Sequence, residues 1–221
     1  MSLKADVFEF QNRGEHTLSQ RAYLGLLSAL VAGGLVLAAY VASLTYTMVP
    51  NGWWIVGYFA VTLPGIYLSA QHGWFLSLIG YVMVIVPTGA ITGPYAHLYQ
   101  LDSVVNVALI TVILTILIGT MGVVYPKSVE HWGGFLFFTL LAAVVLDFGR
   151  VLLQIGGFDA GGFVWWHGAV ALLFAAYIFY DMNQAAREDY TVDNAVDRAV
   201  ALYLDILNLF LRLLSILGKK K

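Results

Sequence analysis

Long apolar runs, each close to the length of a membrane crossing and each ended by a short polar or glycine- and proline-rich link, dominate this chain of 221 residues. A helix needs about 20 apolar residues to traverse a bilayer's hydrocarbon. On that ruler the pattern predicts spans at Ala22–Leu44, Trp53–Ala70, Trp74–Thr92, Val104–Val124, Trp132–Gln154, Phe163–Tyr180 and Val200–Leu217. The links Thr47–Gly52, Gln71–Gly73, Gly93–Pro94, Tyr125–Lys127, Gly156–Gly157 and Gly161–Gly162 carry the Gly, Pro and Asn that end helices. None has room for a second domain. The expected organisation is a polar N-terminal arm, Met1–Arg21, followed by one seven-helix transmembrane domain over 22–221. The first run is too long for a signal-peptide core and lacks a small-x-small cleavage site, so it is read as retained.

Composition agrees, because 60% hydrophobic and 11% charged residues leave too little polar surface for a soluble globule. The fold class expected is all-α integral membrane, a seven-transmembrane-helix bundle whose first partner is the lipid bilayer. A net charge of −2 and scattered basic residues exclude a nucleic-acid surface. With no cysteine, disulfides and thiolate chemistry are excluded too. Trp53, Trp54, Trp74, Trp132, Trp165 and Trp166 fall near span ends, as an interfacial belt requires. Pro64 and Pro87 should kink the second and third spans, while Gly34, Ala38 and Ala42, and Gly119 and Gly122, read as close-packing faces.

Basic residues set the orientation. Lys4, Arg13 and Arg21 precede span one, Lys127 lies between spans four and five, and Arg187 and Arg198 lie between spans six and seven, whereas the opposite links contain none. The positive-inside rule then puts the N-terminus in the cytoplasm. Lys219, Lys220 and Lys221 after the last span leave two readings open: that helix crosses completely, or it dips in and returns.

Candidate chemistry lies in acids where apolar spans should carry none: Asp181 ends the sixth run and Asp205 sits inside the seventh. A central Asp costs roughly 3 kcal/mol on the insertion scale, so such a residue normally meets a partner, a cavity or an ion path. Asp205, Asn208 and Arg212, at i, i+3 and i+7, form a polar stripe that should face the bundle interior. Asp147 and Arg150, three apart on span five, read as a local ion pair rather than part of a pathway. Asp102, Glu130 and Asp159 read as solvated link residues. The histidines His16, His72, His97, His131 and His167 lack ligand spacing, so no resident metal or cofactor is expected.

Ala201–Gly218, with Asp205, Asn208 and Arg212, resembles the C-terminal signature of the Bax inhibitor-1 family, and Phe179–Asn183 resembles its Tyr-Asp-x-Gln motif, with Asn183 in the glutamine's place. The likeness implies that the last helix is central and that the protein is a pH-sensitive calcium leak rather than an enzyme. It also implies Asp181 and Asp205 as pH sensor, cytoplasmic gate and transient calcium ligands, with Asn183, Asn208, Arg212, Asp147 and Arg150 as supporting polar groups. Some relatives lock the acidic pair with a basic residue on span two. Trp53–Ala70 contains none, which leaves Arg212 or Arg150 as substitutes. A second role within the family is a non-conducting modulator of a membrane protease.

Two carboxylates about 4 Å apart repel by roughly 4 kcal/mol at an effective dielectric near 20, which favours one shared proton. Holding that proton should draw the two helix ends together; losing it should separate them or recruit a hard cation such as calcium. A retinal protein is excluded because no lysine lies within a span. An intramembrane aspartyl protease is disfavoured, since Leu202-Tyr203-Leu204 stands before Asp205 where that family has Gly-x-Gly.

Overall fold

The computed structural model describes residues 18–71, 73–155 and 164–221. The arm 1–17 with Lys4, Arg13 and His16, residue His72, and the link 156–163 with Asp159 lie outside the described residues. Seven helices are described: α1 (Gln20–Thr45), α2 (Gly52–Ser69), α3 (Trp74–His97), α4 (Leu101–Val124), α5 (Trp132–Ile155), α6 (Val164–Ala185) and α7 (Val192–Leu217). No named strand occurs among these residues, and every helix except α2 is long and apolar enough to cross a membrane. This is an all-α helical membrane bundle.

Burial follows the lipid. Large apolar side chains such as Ile113 and Leu117 on α4 and Phe135 and Phe138 on α5 point outward, which water would not tolerate in such density but hydrocarbon does. Inward-facing Tyr23, Leu27, Tyr81, Ile178 and Tyr203 form the core. α7 supplies its axis, packing against α1, α2, α3, α4 and α6, while α5 packs on α6 at the periphery.

Small residues set the close contacts. Gly80 of α3 lies against the backbone of Ser69 and Gly65 on α2, Gly89 against Ala38 of α1, and Gly122 of α4 against the Phe179 carbonyl of α6. A Cβ at any of these would collide with backbone, so they allow the approach that membrane helices need in place of a hydrophobic drive. The expected packing faces at Ala38 and Ala42 and at Gly119 and Gly122 are therefore found.

Two boundaries differ from the pattern's prediction. Gly93–Pro94 does not end α3, which continues to His97. Pro94 lacks the N–H that would bond the Ala90 carbonyl, but Thr45 Oγ1 of α1 donates to that oxygen at 2.9 Å. α7 begins eight residues before the predicted Val200, capped by Thr191, whose side chain accepts from Asn194 N at 3.1 Å. The stretch between Arg187 and Arg198, expected as a charged loop, is thus mostly helix.

The ends of the bundle are distinct. At one, Leu18 N donates to Tyr190 O at 2.7 Å, and Ser77 Oγ and Gly73 N donate to Asp193 at 2.9 and 3.3 Å. Gly73 has φ +119°, a left-handed conformation that only glycine adopts freely. At the other, Gln100 N donates to Lys219 O at 2.8 Å and Lys221 N to Leu98 O at 3.1 Å. These are called the aspartate end and the lysine end. α7 touches both, so it runs the full length of the bundle, as a complete crossing requires. Its 26 residues reach about 39 Å at ~1.5 Å each, beyond a hydrocarbon core of about 30 Å.

Replacing Thr45 by Val keeps the shape and removes the donor to Ala90 O. Unfolding in detergent should show a loss of about 1 kcal/mol for Thr45→Val and little for Thr45→Ser, because a half-buried carbonyl is left without a partner.

Candidate functional site

Asp181 lies one turn before the end of α6, and Asp205 midway along α7. Both are nearly sealed from the surface, at 5% and 8% relative exposure. The structure brings them together, close enough for each carboxyl group to act electrostatically on the other. Asp205 Oδ2 receives no N–H or O–H donor from the described residues. Two buried carboxyl groups in such proximity favour one shared proton over two negative charges.

The cation beside them is Arg198, on α7 two turns before Asp205. Its Nη1 lies 3.0 Å from Asp181 Oδ1, while Nη2 and Nε donate to the Glu188 carboxylate at 2.6 and 3.2 Å. Glu188 also accepts the Tyr23 hydroxyl of α1. A continuous polar chain therefore runs Asp205–Asp181–Arg198–Glu188–Tyr23 and ties α7, α6, the α6–α7 link and α1 at the aspartate end. By sequence Arg198 reads only as a link charge. Its signal was spacing, since Arg198, Asp205 and Arg212 are seven apart and share the predicted polar face.

The remaining candidate residues do other work. Asn183, fully buried, accepts from Val129 N at 3.1 Å and donates to Gly122 O at 3.0 Å and Lys127 O at 3.1 Å, so it pins the α4–α5 link to α6. Asn208 donates to Leu204 O of its own helix at 2.8 Å. Arg212 does not reach the acidic pair: it bonds Asp147 on α5, seven residues, or about 10 Å, along α7 from Asp205. Trp166 Nε1 donates to the same carboxylate at 2.8 Å, and Arg150 stands 3.9 Å away. The expected local Asp147–Arg150 pair is thus an inter-helix cluster centred on Asp147, which fastens peripheral α5 to α6 and α7.

Among the described residues no three His, Cys, Asp or Glu side chains converge as a metal-binding group. Asp181 is already compensated by Arg198, so a cation could engage the pair only after the guanidinium moved aside.

Membrane-spanning helices around a central helix, with a buried acidic pair between that helix and its predecessor, define the class of protein. The chain belongs to the Bax inhibitor family: the family described as "Inhibitor of apoptosis-promoting Bax1" matches residues 16–221. It is similar to an uncharacterized protein of Helicobacter pylori, 36% identical over 107 residues, which cover 47% of this chain and 44% of that protein. Protein LIFEGUARD 2 of Arabidopsis thaliana is 31% identical over 118 residues, 53% of this chain and 47% of the relative. Bax inhibitor 1 of Schizosaccharomyces pombe is 26% identical over 171 residues, 67% and 63% respectively. The match spans under half the length of the Helicobacter and LIFEGUARD 2 proteins.

Arg198→Met leaves the Asp181 and Glu188 carboxylates without their cation and should cost on the order of 3 kcal/mol at neutral pH. Acid should shrink that deficit, since protonating the two carboxylates removes the uncompensated charge. Thermal unfolding of wild type, Arg198→Met and Arg198→Lys across pH checks both, with the lysine recovering part of the loss.

Proposed function

We propose that this protein is a pH-responsive calcium leak of a bacterial inner membrane, closed at the cytoplasmic end by the Asp205–Asp181–Arg198 arrangement. The observation that supports this reading best is a buried acidic pair joining α6 to the central α7 and held by one arginine from α7 itself. Arg21, Lys127, Arg187 and Arg198 at the aspartate end, set against inter-helix links without Lys or Arg at the other, support a cytoplasmic aspartate end, with the terminal Lys219–Lys221 as the opposing basic cluster. Arg198 takes the place of the basic lock absent from the second span.

In the closed state one proton sits between the carboxyl groups and Asp181 keeps enough negative charge to hold Arg198. Acidification adds the second proton. Asp181 then no longer attracts the guanidinium, the link from α6 to α7 loosens, and the aspartate end opens. The sign follows from the ion pair: with Arg198 present, the first proton closes and the second releases. Calcium, a hard ion that binds oxygen ligands, meets carboxylate and water oxygens as it passes. The pair serves here as a gate, with no catalytic step assigned to it.

Calcium-loaded proteoliposomes of wild type, Asp181→Asn and Asp205→Asn, assayed from about pH 5 to pH 8, test this reading. Wild-type flux should rise toward acid. Asp205→Asn should move the rise to lower pH, because Asp181 alone beside Arg198 keeps its charge further into acid, and Asp181→Asn, which frees Arg198, should leak at every pH. Wild-type flux equal to that of empty liposomes throughout would overturn the leak and leave the family's other role, a non-conducting modulator of a membrane protease.

A further inference from the structure

A cleft of about 680 Å³ opens on the flank of the bundle between α1 and α4. Its α1 wall is the stripe Leu24, Ser28, Val31 and Leu35, spaced four, three and four apart so that one face of the helix lines it throughout. The α4 wall includes Thr115, Gly119 and Thr120. Gly119 keeps the slot deep, because a Cβ there would press on Met182 at its floor. The lining is otherwise apolar, and the volume falls within the roughly 300–1,000 Å³ of small-molecule sites.

Three observations identify an occupant. First, the walls are membrane-spanning helices, so the cleft faces hydrocarbon rather than water. Second, from Leu24 to Leu35 it extends about 17 Å at ~1.5 Å per residue, close to one leaflet of a roughly 30 Å core. That is the reach of a single acyl chain from headgroup level to midplane. Third, the next residue of the α1 stripe toward the aspartate end, three before Leu24, is Arg21, exposed and without an ion pair among the described residues. It lies where a headgroup would lie. In addition, the Thr115 hydroxyl oxygen is buried and without a hydrogen-bond partner in the cleft wall.

We infer that the α1–α4 cleft is a binding site for an anionic phospholipid of the leaflet at the aspartate end. One acyl chain fills the slot and the phosphate pairs with Arg21. The guanidinium gives the preference for an anionic headgroup and the apolar slot gives the preference for this flank over the outward surfaces of α2 and α5. The site stands whether or not the protein conducts calcium.

Intact protein in nanodiscs containing trace phosphatidylglycerol with a photoactivatable diazirine on one acyl chain, irradiated and mapped by mass spectrometry, tests it. Crosslinks should concentrate on Leu24, Ser28 and Val31 of α1 and Thr115 and Gly119 of α4. They should vanish from those positions in Ala32→Trp and in Thr120→Trp, which fill the slot from opposite walls, and persist in Gly33→Trp, a neighbouring position with open space beside it. Arg21→Ala should reduce labelling to that given by a phosphatidylcholine probe. Labelling spread evenly over outward residues of α2 and α5 and unchanged by both tryptophans marks annular lipid only and overturns the site. Equal labelling of the wild type by the two probes overturns the anionic preference.

Discussion

Arg198 faces Asp181 on one side and Glu188 on the other, at the point where α6 ends, the link turns and α7 begins. Asp205 adds a third carboxyl group within the same small volume, and Arg198 is the only ion-pair cation for these groups among the described residues. Two ionised carboxylates about 4 Å apart would repel by roughly 4 kcal/mol at an effective dielectric near 20. One guanidinium and one proton together make the arrangement tolerable. The proton is the mobile member, and that gives this end of the bundle its proposed sensitivity to pH.

The same helix is secured at a second level. Arg198, Asp205 and Arg212 recur every seven residues along α7, so one face of the central helix carries alternating charge through a body that is otherwise mostly apolar. Arg198 and Asp205 bind α6 and its link, while Arg212 binds Asp147 on α5, whose carboxylate also takes the Trp166 indole of α6. α7 is thus fixed by charge both near the aspartate end and farther along. Between these ties lie apolar contacts and single hydroxyl bonds, such as the 2.6 Å contact of Thr88 with Tyr203. Moving α7 at the aspartate end requires changing charge there and leaves the Asp147 anchor in place, which suits a gate that opens at one end.

The seven helices were legible because lipid-facing and core-facing positions are both apolar, and six of them are long and apolar enough to cross, with α2 the exception. The ends of α3 and α7 were not. Gly93–Pro94 reads as a helix stop, and only the hydroxyl of Thr45 on another helix shows why it is none. By sequence α7 starts at Val200 because Asp193, Asp197 and Arg198 lower local hydropathy, yet Asp193 is buried with bonds from Gly73 of the α2–α3 link and Ser77 of α3, and Arg198, half-buried, is paired with two acids. At the site, Asp181 and Asp205 stood out by their cost in a membrane. Arg198 did not, because a basic residue beside a span reads as an orientation signal. Asp147 and Arg150 looked self-sufficient at i, i+3, since a sequence shows neighbours along one helix and not the Arg212 that arrives from another.

The proton placed between Asp181 and Asp205 can be observed directly. Infrared spectroscopy of the protein at near-neutral pH, with isotope-labelled aspartate to assign the bands, distinguishes a protonated carboxylic acid from a carboxylate. One buried acid band that resists exchange with solvent, shifts with the label and disappears in both Asp181→Asn and Asp205→Asn is the expected result. Carboxylate bands alone, with no acid band that depends on either residue, would contradict the shared proton and the gate built on it.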